Sequence, residues 1–260
     1  MIFDEFERKL KDEYEKDFQK QIDEQPNEYE RDFMKKARVK SKICEVGRRL
    51  WQLGFVAGND GNISVKFDET SVIATPSGVS KADMTPYNNT NINEIVEIYA
   101  DEKYDPEKYL VRPSSEIKMH LRCYSVRPEV KAVIHAHPPF ATAFACAGIP
   151  LVNNSLSEAV MQLGEVPVVP YATPGSDDVP EGITPFIKEH NAILLANHGA
   201  VTVGKTLTQA YYRMETLEQV AKITFLTKLL GGGIDLPEDK LAELRAIGIK
   251  MANYNSFEII

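Results

Sequence analysis

Apolar side chains near the start of the chain recur at every fourth position. Between residues 2 and 24 they are Phe6, Leu10, Tyr14, Phe18 and Ile22. This spacing keeps them on one stripe of a helix, and acidic residues placed four positions ahead of basic ones add support to it. The Gln25-Pro26-Asn27 break predicts the end of this helix, and a second helix is predicted over residues 28–53.

From residue 54 onward the pattern changes to short apolar runs separated by turn residues. Strands are predicted over residues 62–66, 71–75, 93–100, 131–137, 166–172 and 192–203. Helices are predicted over residues 114–124, over a small-residue segment that ends at residue 147, and over residues 206–230 and 238–251. Because the helices flank the strands without strict alternation, we expect the α/β class, with a mixed sheet covered by helices on both faces.

The composition and the net charge limit the kinds of molecule that the protein could bind. The chain has 260 residues, of which 43% are hydrophobic and 26% charged, and no apolar run reaches the roughly 18 residues of a membrane span. The net charge of −8 argues against a nucleic-acid partner. Residues 1–32 carry twelve acids and six bases, so the remainder is nearly neutral. A neutral body can bind an anionic small molecule if backbone amides and a metal supply positive charge.

The first residues of the chain and the spacing of its cysteines indicate the cellular compartment of the protein. The first 25 residues are dense in charge and lack the apolar core of a signal peptide. Cys44, Cys123 and Cys146 are widely separated, which suits reduced thiols in a cytosol. We therefore expect a cytoplasmic protein.

Two histidines lie two positions apart in a predicted strand. Successive side chains of a strand point to opposite faces, so His135 and His137 point to the same face, roughly 7 Å apart. Both imidazoles can then reach one metal ion. His198 follows a second apolar run and precedes Gly199, and a neighbouring strand would supply it as a third ligand.

A histidine pair of this kind is also common as a structural or surface feature. The third histidine beside a glycine shifts the balance towards a metal site. Three neutral imidazoles would leave the full positive charge on the ion, which makes it a strong Lewis acid for a carbonyl or enediolate oxygen.

Three turns offer backbone amides or hydroxyls to an anion. Ser114 and Ser115 lie where a helix is predicted to begin, directly before Glu116, and the other two turns contain Gly61-Asn62 and Ser77-Gly78. Each turn alone fits an ordinary helix cap or hairpin. Together with the three histidines, they predict a combined phosphate and metal site.

These residues fall in a series of short strings with a recognisable order. The strings are Gly61-Asn62-Ile63-Ser64, Thr75-Pro76-Ser77-Gly78, Pro113-Ser114-Ser115-Glu116, His135-Ala136-His137-Pro138, Tyr171-Ala172-Thr173-Pro174-Gly175 and Asn197-His198-Gly199. From about Ala37 to Leu230 the chain resembles the class II aldolase/adducin-head family, and within it the enzymes that cleave L-fuculose 1-phosphate.

The resemblance implies an architecture. It implies a three-layer α/β/α sandwich with a central mixed, largely antiparallel sheet over residues 28–260, preceded by an acidic amphipathic helical extension over residues 1–27. It also implies a homotetramer whose active sites lie between subunits. The extension would dock on a neighbouring subunit or direct the enzyme into a larger assembly such as a protein-shelled compartment; a solvated helix is the alternative.

The resemblance also implies roles for individual residues. His135, His137 and His198 correspond to the zinc ligands, with Mn²⁺ or Co²⁺ as possible substitutes for Zn²⁺. Glu116 corresponds to the catalytic carboxylate, which in this family can also ligate the metal before substrate arrives. The residues that correspond to the phosphate site are Gly61, Asn62, Ser77, Gly78, Ser114 and Ser115. Tyr254 corresponds to a tail tyrosine that folds over the site.

The implied reaction is reversible cleavage of a ketose 1-phosphate, of the L-fuculose 1-phosphate type, to dihydroxyacetone phosphate and a short aldehyde such as L-lactaldehyde. The sequence departs from the family pattern on the aldehyde side. No tyrosine follows Ile149-Pro150, and Pro174 replaces an aromatic residue. The identity of the sugar therefore stays open.

Three alternatives use the same scaffold. They are a ribulose-5-phosphate 4-epimerase-like reaction, dehydration or decarboxylation of a phosphosugar, and a non-catalytic adducin-like interaction module. Glu116 favours the aldolase over the epimerases, which usually carry aspartate there. The three histidines argue against the interaction module, which lacks them.

Overall fold

A seven-stranded sheet forms the centre of the structure, a computed structural model that describes residues 27–86, 96–99 and 112–254. The helices are α1 (Glu28–Gln52), α2 (Ile117–Val126), α3 (Pro139–Ala147), α4 (Ser157–Gln162), α5 (Asp178–Ile187), α6 (Leu207–Leu229) and α7 (Glu238–Tyr254). The strands are β1 (Asn62–Lys66), β2 (Ser71–Ala74), β3 (Val96–Tyr99), β4 (Ala132–Ala136), β5 (Val168–Val169), β6 (Ala192–Leu195) and β7 (Gly199–Gly204).

The strand order is β3-β2-β1-β4-β7-β6-β5. Neighbouring strands run antiparallel except β5 and β6, which are parallel. The prediction of a mixed, largely antiparallel sheet is therefore confirmed.

Side-chain alternation along β4 divides the core into two halves. Ala132, Ile134 and Ala136 pack into a cluster with α1, α3, α4 and α6 on one face of the sheet. Val133 packs on the other face with side chains of α2 and α5. Because helices cover both faces, the prediction of a three-layer α/β/α sandwich is also confirmed. Each fully buried aliphatic side chain contributes about 1.5–3 kcal/mol to this packing.

The first described residues form a capping box. The Asn27 side chain accepts a hydrogen bond from the Glu30 backbone N–H at 2.9 Å, and the Glu30 carboxylate accepts one from the Asn27 N–H at 2.8 Å. This exchange explains why α1 begins at Glu28. The chain divides into two units, residues 1–38 and 39–260. The predicted extension over residues 1–27 lies almost wholly outside the described residues and stays a prediction.

Several elements differ from their predictions. Helices α4 and α5 were not predicted, and α5 contains two prolines, Pro180 and Pro185. It forms because Val179, Ile183 and Ile187, spaced four apart, all lie in the core. The apolar run 192–203 is a hairpin of two strands, so His198 lies in the turn between β6 and β7. None of the helices in the described ranges has the length and apolar character to cross a bilayer.

Candidate active site

Three imidazoles converge at one end of the two central strands. His135 lies in β4 on the same face as Val133, His137 follows the end of β4, and His198 lies in the turn that enters β7. The ring centroids are 4.7–5.0 Å apart, and one nitrogen from each ring lies within 4.8 Å of the others. The structure thus brings together the three histidines that the sequence singled out.

A hydrogen bond orients one of these rings, and a nearby carboxylate faces another. Nδ1 of His135 lies 3.0 Å from the Ala200 carbonyl oxygen and donates to it, which leaves Nε2 bare. That Nε2 lies 3.1 Å from Nε2 of His137. On its other side, Nδ1 of His137 lies 3.4 Å from a carboxylate oxygen of Asp60. Carboxylate and carbonyl partners of this kind fix the rings of metal-binding histidines.

The turn that presents His198 depends on two special backbone positions. Asn197 has a φ of 58°, the only positive φ of a non-glycine residue in the described ranges, and asparagine tolerates that region better than most residues. Gly199 lies against the histidines: a Cβ there would be 2.6 Å from the Ala136 carbonyl oxygen and 2.5 Å from Cδ2 of His137. The missing side chain makes room for the rings.

Replacement of Gly199 by alanine is expected to lower the free energy of unfolding by about 2–3 kcal/mol, because the added methyl overpacks a rigid site. We also expect it to reduce the metal content measured by mass spectrometry, since His137 must move. Gly182→Ala is the control: it lies inside α5, where its Cβ would be an ordinary 3.8 Å from Val169. Normal metal content in Gly199→Ala would contradict the expectation.

The N-terminus of α2 brings a carboxylate to the histidines. Oε2 of Glu116 lies 3.3 Å from Nε2 of His135, and Oε1 lies 3.6 Å from Nε2 of His198. The Asn62 amide donates to Oε2 at 2.8 Å, whereas Oε1 is buried and has no hydrogen-bond partner. Burial raises the pKa of this carboxyl, but electrostatic interaction with the adjacent His135 and His198 rings and the Asn62 hydrogen bond outweigh burial and hold the pKa below its ordinary value.

This donor set fits a divalent cation. Burial lowers the pKa of His135 to about 4 and also lowers the pKa of His198, so both rings are neutral at physiological pH, as metal ligands must be. The unpartnered Oε1 of Glu116 adds a negatively charged oxygen beside them. Three imidazoles with room for a further ligand are typical of catalytic zinc sites.

The predicted phosphate residues lie next to this carboxylate. The Ser77 N–H donates to the Arg112 carbonyl at 2.8 Å, and the Ser114 N–H donates to the Thr75 carbonyl at 3.2 Å. The Asn62 amide donates to the Ser114 hydroxyl at 3.1 Å. These bonds bring the three predicted turns together, with Ser77, Gly78 and Ser115 exposed. The Asn62 side chain is already engaged by Glu116 and Ser114.

One basic residue of these turns was missed in the sequence. Lys81 is only 2% exposed, and its ammonium donates to the carbonyls of Asn59 at 3.1 Å and Val79 at 2.9 Å. Burial lowers its pKa to about 8. Lys81 thus ties the turn before Gly61 to the turn after Gly78. Its burial alone distinguishes Lys81 from an ordinary surface lysine, and a polar stretch of sequence does not indicate that a residue is buried.

Two further predictions concern the edge of the site, namely the tail tyrosine and the segment that follows Ile149-Pro150. Tyr254 is the last residue of α7, but its side chain lies outside the described part, so its role stays a prediction. After Ile149-Pro150, Leu151 is buried and the Asn153 amide donates to the Thr224 hydroxyl at 2.8 Å. No acid or base stands at residues 151–154.

The structure gives His120 two hydrogen-bonding partners. This histidine is fully buried in α2, between the side chains of Asn62 and Ser64. Burial lowers its pKa from 6.5 to about 3.

The depressed pKa of His120 predicts acid destabilisation. Between about pH 6.5 and pH 3 the unfolded chain binds a proton that the folded chain does not, so stability falls as the pH drops through this window. The loss is about 1.4 kcal/mol per pH unit, and on the order of 5 kcal/mol in total. Urea unfolding at several pH values gives the free energy of unfolding of the chelator-treated wild type and of the chelator-treated His120→Gln variant. This free energy should change less steeply with pH in the variant. Equal slopes in the two proteins would contradict the depressed pKa of His120.

Comparison with known proteins places the chain in a family. The profile described as "Class II Aldolase and Adducin N-terminal domain" matches residues 41–225. A 3-oxo-tetronate 4-phosphate decarboxylase from Pectobacterium atrosepticum is 32% identical, over 73% of this chain and 84% of that protein. An L-fuculose phosphate aldolase from Haemophilus influenzae is 33% identical, over 78% and 89%. A solved L-fuculose 1-phosphate aldolase superposes with a TM-score of 0.71 at 29% identity, over 80% of this chain and 95% of that one.

Fold, site and relatives define the class of protein as an enzyme, a lyase. The chain belongs to the class II aldolase and adducin N-terminal domain family. Class II aldolases depend on a metal, and the described residues contain three histidines that could hold one. The relatives named above act on phosphorylated compounds.

Proposed function

We propose that the protein catalyses the reversible retro-aldol cleavage of a ketose 1-phosphate, of the L-fuculose 1-phosphate type, to dihydroxyacetone phosphate and a short aldehyde. One observation carries the proposal: a half-buried carboxylate with one oxygen anchored by Asn62 and the other buried and unpartnered, directly beside a cluster of three histidines. An arrangement of this kind suits proton transfer to a carbon whose charge is stabilised nearby.

His135, His137 and His198 would hold the metal, and Zn²⁺ suits a set of imidazole ligands. When bound, a divalent cation supplies Lewis-acid stabilisation of the negative charge that develops on the substrate's carbonyl oxygen. The remaining steps fall to the protein and the substrate. As the C3–C4 bond breaks, the C4 hydroxyl gives its proton to solvent water and becomes the aldehyde, while Glu116 takes up a proton from water and delivers it to C3 through Oε1.

The phosphate group would be held by the turns beside Glu116. The exposed Ser77 and Ser115 offer hydroxyls, Gly78 offers a backbone amide, and the Asn62 amide holds the Ser114 hydroxyl in place. Binding energy from a remote phosphate positions the reacting carbons and supports catalysis when it is realised in the transition state. Lys81 adds a buried positive charge behind two of these turns.

Decarboxylation of a phosphorylated 3-oxo acid is the second candidate. Loss of CO₂ from 3-oxo-tetronate 4-phosphate leaves an electron pair beside the ketone of a three-carbon phosphate, as retro-aldol cleavage does, and the same proton delivery completes it. This reaction requires no acid or base for a leaving aldehyde. The absence of such a group at residues 151–154 favours it, as does the relative from Pectobacterium atrosepticum.

The shared half-reaction can be tested first. The zinc-loaded protein in D₂O should exchange one carbon-bound hydrogen of dihydroxyacetone phosphate, as followed by ¹H NMR, and the chelated protein should not. Two further assays then measure release of aldehyde from L-fuculose 1-phosphate and release of CO₂ from 3-oxo-tetronate 4-phosphate. Aldehyde release supports the aldolase, and CO₂ release alone replaces it by the decarboxylase. Inversion at C4 without cleavage would indicate an epimerase, and no exchange and no turnover would refute both proposals.

We further propose a cytoplasmic homotetramer with active sites between subunits. Large apolar side chains on the surface support additional contacts, among them Leu229, Leu230 and Ile234, which are 70%, 86% and 92% exposed. Light scattering should give a mass near four chains, and a monomeric mass would contradict this. Comparing the full chain with a variant that lacks residues 1–27 would test whether the extension contributes to assembly.

A further inference from the structure

Four buried polar side chains lie in a row behind Glu116. They are Asn62, His120, Ser64 and Tyr124, and each is at most 6% exposed. Asn62 Oδ1 lies 2.5 Å from His120 Nε2, and His120 Nδ1 lies 2.7 Å from the Ser64 hydroxyl. The Ser64 hydroxyl lies 2.7 Å from the Tyr124 hydroxyl. A continuous series of hydrogen bonds therefore connects the Glu116 carboxylate to the interior of the protein.

We propose that His120, Ser64 and Tyr124 are positioning residues that act through Asn62 to fix the Glu116 carboxylate for catalysis. The proposal rests on the catalytic role proposed above for Glu116. It assigns a function to three residues that belong neither to the histidine cluster nor to the predicted phosphate site.

The position of these residues follows from two local periodicities. Asn62 and Ser64 are two apart in β1 and so lie on the same face of the sheet. Glu116, His120 and Tyr124 are four apart at the start of and along α2, so they lie on one stripe of that helix. The stripe faces the strand, which brings the two sets of polar groups together in alternation.

The direction of the hydrogen bonds is determined at the Asn62 end. Its Nδ2 faces Glu116 Oε2 and the Ser114 hydroxyl, and the opposite orientation would put an amide oxygen against a carboxylate oxygen. Asn62 Oδ1 must therefore accept from His120, which requires a proton on Nε2 of His120. Complete burial keeps this ring neutral, so its Nδ1 is bare and accepts from Ser64.

The remaining donor follows by elimination. The Ser64 hydroxyl has one proton, which it gives to His120, so the Tyr124 hydroxyl donates to Ser64. Every donor in the row then points towards Glu116. Hydrogen bonds that share one direction polarise and strengthen one another in a buried setting. As a result, Oε2 of Glu116 stays anchored and Oε1 stays directed at the histidines.

Two substitutions of His120 separate its two nitrogens. Glutamine can place an amide N–H near the position of Nε2 and keep the bond to Asn62, whereas asparagine reaches only the position of Nδ1. We expect His120→Asn to lower kcat by about 10–100-fold, the usual range for groups that orient catalytic ligands, with KM and metal content nearly unchanged. His120→Gln should retain most of the turnover. Equal losses in both variants would overturn the proposal.

Tyr124→Phe and Thr202→Val provide a second comparison that preserves shape. Each removes one hydroxyl from a buried side chain, but the Thr202 hydroxyl donates to the Ala210 carbonyl on the opposite face of the sheet. Tyr124→Phe should lower kcat by about 3–10-fold, as expected for one hydrogen bond. Thr202→Val should leave kcat unchanged even where it lowers stability. A loss of turnover in both variants that follows stability alone would also overturn the proposal.

A spectroscopic measurement is independent of turnover. In protein labelled with ¹⁵N-histidine, His120 should show a protonated Nε2 and an unprotonated Nδ1 at neutral pH, and Tyr124→Phe should shift the Nδ1 resonance. A protonated Nδ1 would reverse the deduced direction and refute the proposal. If the wild type turns over none of the substrates named above, the proposed function fails, while the tautomer of His120 still decides the direction of the hydrogen bonds.

Discussion

Glu116→Gln is expected to lower turnover by about 10²–10⁴-fold while the protein keeps its metal. Glutamine preserves the size of the side chain and can still accept a hydrogen bond from Asn62, but it cannot take up and deliver a proton. Three histidines remain as ligands, which is the usual number of protein ligands in a catalytic zinc site. Steady-state kinetics and metal analysis of the same preparation should show the two effects separately.

Glu218→Gln is the matched control for this exchange. Glu218 is also a buried carboxylate, and it accepts the backbone N–H groups of Phe140 and Ala141, each at 2.9 Å, at the start of α3. Its substitution should cost about 1–3 kcal/mol of stability and leave kcat within about threefold. A Glu116→Gln enzyme with wild-type turnover would remove Glu116 from the mechanism. Loss of metal together with turnover would assign Glu116 mainly to metal binding.

His198→Ala is expected to abolish metal retention and, with it, turnover. The wild-type protein should hold about one divalent ion per chain after dialysis, and the variant close to none, since two imidazoles alone rarely retain such an ion. The His198 side chain is 15% exposed and lies in a turn, so its loss should leave the fold intact. Metal analysis and circular dichroism check both statements.

His190→Ala is the control for this second exchange. His190 is half-buried, with Nδ1 3.1 Å from the Glu165 carbonyl, and does not belong to the histidine cluster. The His190→Ala variant should keep both its metal and its turnover. One bound ion per chain in His198→Ala would show that the ligand set is different from the one proposed.

Much of the fold could be predicted because its signals are local. The Asn27-x-x-Glu30 box starts α1 where the sequence predicts it, and the apolar run ending in His135-Ala136-His137 forms β4. Helix α5 was missed because its prolines are unfavourable for a helix in isolation. Burial of Val179, Ile183 and Ile187 compensates, and this gain exists only once α2 and the sheet are in place.

The candidate site was predictable in its parts but not in its connections. The sequence marked Glu116 and the three histidines as groups with metal and acid–base chemistry. It gave no role to His120 or to Lys81. Both acquire their roles through burial, which lowers the pKa of each side chain and directs its hydrogen bonds.

By itself, the sequence determined which groups share a local face. Alternation in β4 and the four-residue steps of α2 are properties of single elements, so they can be read without any partner. Only the tertiary structure decided which faces meet. The pairing of Asn62 with His135 and of His135 with Val201 joins distant segments, and its register is set by packing of the whole sheet. That register brings His198 and Glu116 to the same place, because non-local contacts are selected by the core as a unit.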